Sequence, residues 1–303
     1  MGAAGLDAAG RPEAGPDRVV PGETGPAGPV PADAELRELR TCSIAAVVGL
    51  LAAGPGLLIV VGGAARSAVY AGHVTGSLRP FGIPAAAGSA ESGGPALPLS
   101  LTVGAWLLDQ AEEKRARRAS QPARDRPRGG PGDESVGRPR HGHRGGASDG
   151  PGGGASDGPG GTVPWRRQFQ AVASGLPPAD CLRLGTELAG LAPRVALLAM
   201  GDASARKATG VHGAADPAAE RYDAEVAAAL AAADPGRLDA LDPALADELM
   251  VAGRAAWQVL AGAAAGASLR GRLRCAAAPY DVSYLVASWH RAAATPGRAA
   301  LAD

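Results

Sequence analysis

A three-layer α/β fold, with a mostly parallel sheet flanked by helices and interrupted by a long disordered insertion, follows from three features of the 303-residue chain. Two short runs, Leu57-Leu58-Ile59-Val60-Val61 and Arg194 to Met200 (RVALLAM), are apolar without alternation, the form of strands covered on both faces. Each follows a stretch whose apolar residues recur at helical spacing, and this alternation of helix and buried strand belongs to a parallel sheet. Between the two units, residues 119–162 hold almost nothing to bury.

Composition narrows what such a fold can do. Gly 45 and Pro 26 make up nearly a quarter of the chain, so part of it is linker. Aromatics are only 3%, which leaves a core of Val, Leu and Ala. Thirty basic side chains balance thirty acidic ones, so the overall charge of a dedicated nucleic-acid binder is missing. Cys42, Cys181 and Cys275 form no CxxC pair, which indicates neither a zinc knuckle nor a disulfide framework. The first residues carry acids where a secretory signal needs a basic start. A cytoplasmic protein is expected.

Residues 1–33, with six prolines, seven glycines and no periodicity, read as a disordered leader. The first half of the α/β domain then spans 34–118. Leu36, Leu39, Ile44, Val47, Val48 and Leu51 predict a helix that Gly54-Pro55-Gly56 stops, and the strand 57–61 follows. No charge falls between Arg40 and Arg66, yet Gly-Pro-Gly divides that run into pieces too short to cross a membrane. Residues 64–97 read as a loop, and Leu99 to Arg118 as a helix with a charged last half.

In the insertion 119–162, GASDGPGG at 146–153 recurs at 154–161, the mark of a flexible linker. Residues 112–144 hold ten Arg or Lys against five acids, with His141 and His143 nearby. That patch reads as a solvated insertion, and no nucleic-acid partner is expected. The second half of the domain spans 163–290, before a tail at 291–303. Helices are predicted over 178–191, 222–232, 243–251 and 257–267, with Asp242-Pro243 capping the third. Strands are predicted at 194–200, 273–278 and 282–289, the last two joined by a turn at Pro279-Tyr280-Asp281.

Nucleotide and hydrolase motifs are missing. Val60-Val61-Gly62-Gly63 lacks GxGxxG, and neither Lys114 nor Lys207 follows a GxxxxG. Gly201-Asp202-Ala203-Ser204-Ala205-Arg206 follows a strand but is not GxSxG, so a Ser204, His212, Asp216 triad rests on spacing alone. In a parallel sheet a site belongs at the carboxyl ends of the strands, here the loops from Gly62 and Gly201. The second holds Asp202, Ser204, Arg206, Lys207 and His212, and makes Asp202, Ser204 and His212 the catalytic candidates.

Four blocks, PLSLTVGAWLL (98–108), RVALLAMGDASAR (194–206), ALDPALADELMVAGRAAWQVLAGAA (240–264) and APYDVSYLVASW (278–289), resemble the catalytic B subunit family of class III extradiol ring-cleavage dioxygenases. The resemblance covers residues 35–118 and 163–290. It implies a non-haem Fe(II) held by two His and one Glu, binding a catechol and O₂ together, with another His as acid/base. The chain departs at each position. No His precedes His73, so the His-Pro motif of the first ligand is missing. The place implied for the second ligand reads Gly62-Gly63-Ala64-Ala65, and the acid/base His is replaced by Ala205. Before Trp257, where the Glu is implied, stand Gly253-Arg254-Ala255-Ala256.

Two readings follow. One is a degenerate, metal-free member with a binding or regulatory role, expected to hold no cofactor and to take a small aromatic ligand, as a monomer or a homo-oligomer. The other is an active Fe(II) enzyme with relocated ligands drawn from His73, His212, Asp202 and Glu248.

Overall fold

The computed structural model describes residues 31–88, 95–120, 165–205, 216–279 and 282–292. The leader up to residue 30, the insertion from 121 to 164, the tail beyond 292, the segment with Arg206, Lys207 and His212, and the turn residues Tyr280 and Asp281 lie outside them.

Helix α1 (Pro31–Ala52) leads through Gly54, at φ 63°, into strand β1 (Leu57–Ala64). The helix opens three residues before the expected start, because Pro31 suits a first turn and Asp33 favours its positive end. Strand β1 carries five consecutive branched side chains, none more than 4% exposed. They alternate between two cores. Leu58 and Val60 join Val47, Leu51, Leu101 and Leu108, whereas Leu57, Ile59 and Val61 join Cys181, Leu188 and Val259.

Residues 64–97, expected as a loop, contain strands β2 (Ala68–Ala71), β3 (Thr75–Ser77) and β4 (Ala86–Gly88) with a 3₁₀ turn at Arg79–Phe81. Each is too short to show a period. Pairing orders them instead, β3 with β4 antiparallel and β2 on the central sheet. Helix α2 (Leu99–Ser120) follows, two residues longer than expected.

Strand β5 (Arg166–Ala173) was not foreseen as a strand, and it takes a central place. After helix α3 (Pro178–Ala189), strand β6 (Val195–Met200) completes the sheet. The order is β2-β5-β1-β6, with β1 parallel to both β5 and β6 and β2 antiparallel at one edge. The three-layer, mostly parallel architecture is thus present, with α1 and α2 on one face and α3 with α7 (Arg254–Ala264) on the other.

Between β6 and α7 lie α4 (Pro217–Ala232), α5 (Pro235–Asp239) and α6 (Pro243–Glu248), each with an Asp N-cap accepting from the backbone. Asp216 starts α4 five residues before the expected position. The third predicted helix stops at Glu248, since Met250 takes φ 54° and Val251 N–H returns to the Ala246 carbonyl. Among the described residues, strands β7 (Leu269–Ala277) and β8 (Tyr284–Arg291) pair only with each other. The Trp289 indole anchors this ribbon to α4 by donating to the Leu230 carbonyl at 2.6 Å. Among the described residues no helix is long and apolar enough to cross a membrane.

Helices α3 and α7 meet backbone to backbone. A Cβ on Gly262 would stand 2.1 Å from the Leu182 carbonyl, and one on Gly185 2.1 Å from the Val259 carbonyl. Only glycine permits that approach. Gly262→Val is expected to cost about 1–3 kcal/mol through overpacking, read as a lower urea midpoint with an unchanged m-value. An unchanged midpoint would mean that this helix pair is not close-packed.

Candidate functional site

The carboxyl ends of β1, β5 and β6 lie side by side, and the chain closes most of that edge with its own backbone. Gly62 and Gly63 stand where the resemblance implies a His ligand. The Ser100 hydroxyl donates to the Gly63 carbonyl at 2.7 Å, and a Cβ on Gly63 would lie 2.6 Å from the Ala252 carbonyl. No side chain fits there. After β6 the backbone again runs tightly, with Gly201 against the Trp257 indole and the Gly253 N–H donating to the Asp202 carbonyl at 2.9 Å.

Ser204 is buried, and its groups serve the loop. Its N–H donates to Asp223 Oδ1 at 3.1 Å and its hydroxyl to the Leu249 carbonyl at 2.9 Å. Asp223 Oδ2 and the Tyr222 hydroxyl, both buried, have no hydrogen-bond partner among the described residues. Burial pushes the Tyr222 phenol strongly up, with the Arg254 guanidinium acting against it.

What remains open is a cleft of about 900 Å³ beside the last turn of β6, bounded by α1, α2 and β8. Its walls are mainly apolar and include the rings of Trp106, Trp257 and Trp289. Polar side chains along it include Arg40, Asp202, Ser204 and His290. The Arg40 guanidinium lies 4.8 Å above the Trp106 ring and also donates to Gln110 at 3.2 Å. Asp202 keeps more than a third of its surface open, yet its apolar surroundings desolvate the carboxyl and push its pKa up from 3.8.

Of the sequence-derived candidates, Asp202 and Ser204 line this cleft. His73, exposed between β2 and β3, and Glu248, exposed at the end of α6, do not. His212 lies outside the described residues. Among the described residues no three His, Cys, Asp or Glu side chains come together as a metal site. The residues at the implied positions do not fit the Fe(II) site: Gly63 has no room for a side chain, the acid/base place is Ala205, and the stretch implied for the Glu holds a cation and no acid.

That cation is Arg254, only 2% exposed at the start of α7. Its guanidinium donates to the Leu176 carbonyl at 2.7 Å, to Gln258 Oε1 at 2.9 Å and to the Ser174 carbonyl. Gln258 in turn donates to the carbonyls of Asp239 and Leu241 at 3.0 and 3.1 Å. A buried Arg with carbonyl partners ties α7 to the loop after β5 and to the end of α5. Sequence reasoning registered position 254 only as a missing acid. The signal available was an Arg inside an otherwise apolar GRAAWQVL run, where a charge survives only if it is fully bonded.

No family model matches this chain, and no curated protein matches it. Among solved structures, uncharacterized protein JW3007 from Escherichia coli K12 is 14% identical over 83% of this chain and 91% of its own, with a TM-score of 0.37. That likeness supports no transfer of fold or site.

Two outcomes follow from the site. Arg254→Met is expected to destabilise the fold by about 1–3 kcal/mol, since the Leu176 carbonyl and the buried Gln258 side chain lose their donor, with the loss read in a denaturant titration. For Asp202 the folded pKa stands above the unfolded one, so ionisation costs stability above the folded value and nothing below about pH 3.8. Asp202→Asn should therefore stabilise the chain at neutral pH, and its advantage should vanish as the pH falls through the raised folded pKa toward 3.8. A pH-independent difference in melting temperature would contradict the desolvated carboxyl.

Proposed function

We propose that this chain is a binding protein on a class III extradiol dioxygenase-like scaffold, taking a small aromatic molecule in the cleft without iron. The observation that carries this reading is the cleft itself: about 900 Å³, mainly apolar, with Trp106, Trp257 and Trp289 among its lining residues. Its size falls within the usual range for small-molecule sites, and its few polar groups are of the kind that orient a ligand. Tryptophan rings favour an aromatic guest through offset or edge-to-face contact. The desolvated Asp202 carboxylate favours a ligand that brings a hydroxyl donor to it, because a bonded donor returns what desolvation removed. A monohydric or dihydric phenol has this chemistry.

The donor set supports the metal-free form of this reading. A dication needs ligands placed together. The stretches implied for the second His and the Glu offer Gly63 and the buried Arg254 guanidinium instead, and Ala205 stands at the acid/base place.

The test is tryptophan fluorescence with protocatechuate and with phenol, on full-length protein dialysed against a chelator. Saturable quenching at one ligand per chain is expected, and Trp106→Ala should weaken it at least tenfold, about 1.4 kcal/mol. Quenching that never saturates, or equal affinity in the variant, would remove the cleft as the site. About one Fe(II) per chain after anaerobic purification, with oxygen consumed on protocatechuate, would establish the enzymatic reading in its place.

A further inference from the structure

The sequence spacing pairs none of the three cysteines, but the fold brings two of them together. Cys42 lies on α1 and Cys275 on β7, elements that pack against each other, and the two thiols are near enough to interact. Both are half-buried and reduced, so a small solute can reach them. Cys181 is fully buried in the core on the other face of the central sheet.

The juxtaposition has a local cause. The β7–β8 ladder shifts register between Leu273 and Cys275, so Arg274 is an extra residue in a bulge, a device that re-aims the neighbouring side chains. Arg274 bonds to the Ser288 hydroxyl, and its guanidinium lies 3.9 Å from where a Cβ on Gly49 of α1 would stand. A cation therefore sits beside the two sulfurs.

We infer that Cys42 and Cys275 form a redox-active dithiol that takes a low-molecular-weight disulfide such as oxidised glutathione and closes to a disulfide joining α1 to β7. The Cys275 thiol gives its proton to solvent, and its thiolate attacks one glutathione sulfur. The S–S bond breaks and one glutathione thiolate leaves. Cys42, losing its own proton, then attacks the Cys275 sulfur of the mixed disulfide and expels the second glutathione. Two protein thiols are oxidised, and one external disulfide is reduced to two thiols that recover the two protons. Burial, and next the adjacent Cys275, push the Cys42 thiol up, with Glu38 adding to this and Arg274 opposing it. Burial that holds the proton on Cys42 makes it the slower first nucleophile, so the first attack falls to Cys275. Since α1 and β8 both wall the cleft, the bond ties the wall on α1 to the ribbon that carries the other. This inference stands whatever the cleft binds.

The experiment uses the reduced full-length chain, held under native conditions in mixtures of reduced and oxidised glutathione, then acid-quenched. Two of the three thiols should disappear from titration, and tryptic peptide 41–66 should be linked to 275–291 in monomeric protein. Cys42→Ser should trap a glutathione adduct on Cys275. Cys275→Ser should acquire its adduct on Cys42 at least fivefold more slowly. A stable adduct without the link in the native chain, a link through Cys181, or a link found only between two chains would each overturn the inference.

Discussion

The side chains of β1 from Leu57 to Val61 are all buried, so the chain must supply a helical layer on each face of this strand. Each such side chain contributes about 1.5–3 kcal/mol when fully buried, a sum no single helix face can collect. Residues Leu58 and Val60 require the α1 and α2 layer; Leu57, Ile59 and Val61 require α3 and α7. The second layer carries an additional constraint, because its two helices approach through Gly185 and Gly262 at backbone distance. That contact seats α7 deeply enough for Arg254 to reach the carbonyls after β5.

With β1 enclosed, the sheet has only its edges and strand ends to offer a ligand. One edge is taken by β2, and the ends of β1 are closed over by Ser100 and Ala252. The side of β6 toward α1 stays open, since the β7–β8 ribbon pairs only with itself and stands off from the central sheet. The cleft occupies that gap. Its apolar character follows from the same cause, for α1 is apolar around most of its circumference from Cys42 to Leu51, facing α2 on one side and the ribbon on the other.

Legibility in the sequence followed the source of each element's order. Strands β1 and β6 and helices α1, α2 and α3 announce themselves because their own side chains make the core. Strand β5 does not, because four of the five residues in Arg-Arg-Gln-Phe-Gln are polar. Its Arg167 is accommodated by Asp109 and Glu112 of α2, 58 and 55 residues away, and its buried Gln170 bonds to the Ala68 and Ala171 carbonyls. Partners so distant leave no local pattern. The three short strands within 64–97 are invisible for a related reason, as pairing rather than periodicity holds them. At the site, Asp202 and Ser204 were legible as a strand-end loop. The tryptophan walls and the pairing of Cys42 with Cys275 needed the ribbon's packing on α1.

The cation at position 254 bears most directly on how α7 is held. A carboxylate there would present an acceptor to a metal ion, whereas the guanidinium is a five-donor cation that carbonyls alone can satisfy. It does so through Ser174, Leu176 and Gln258. Arg254 thus has a structural duty, and it cannot be exchanged for Glu without reversing every one of these contacts. The open chemistry of the edge is then left to the loop after β6, where Asp202 is the group held away from its ordinary proton affinity.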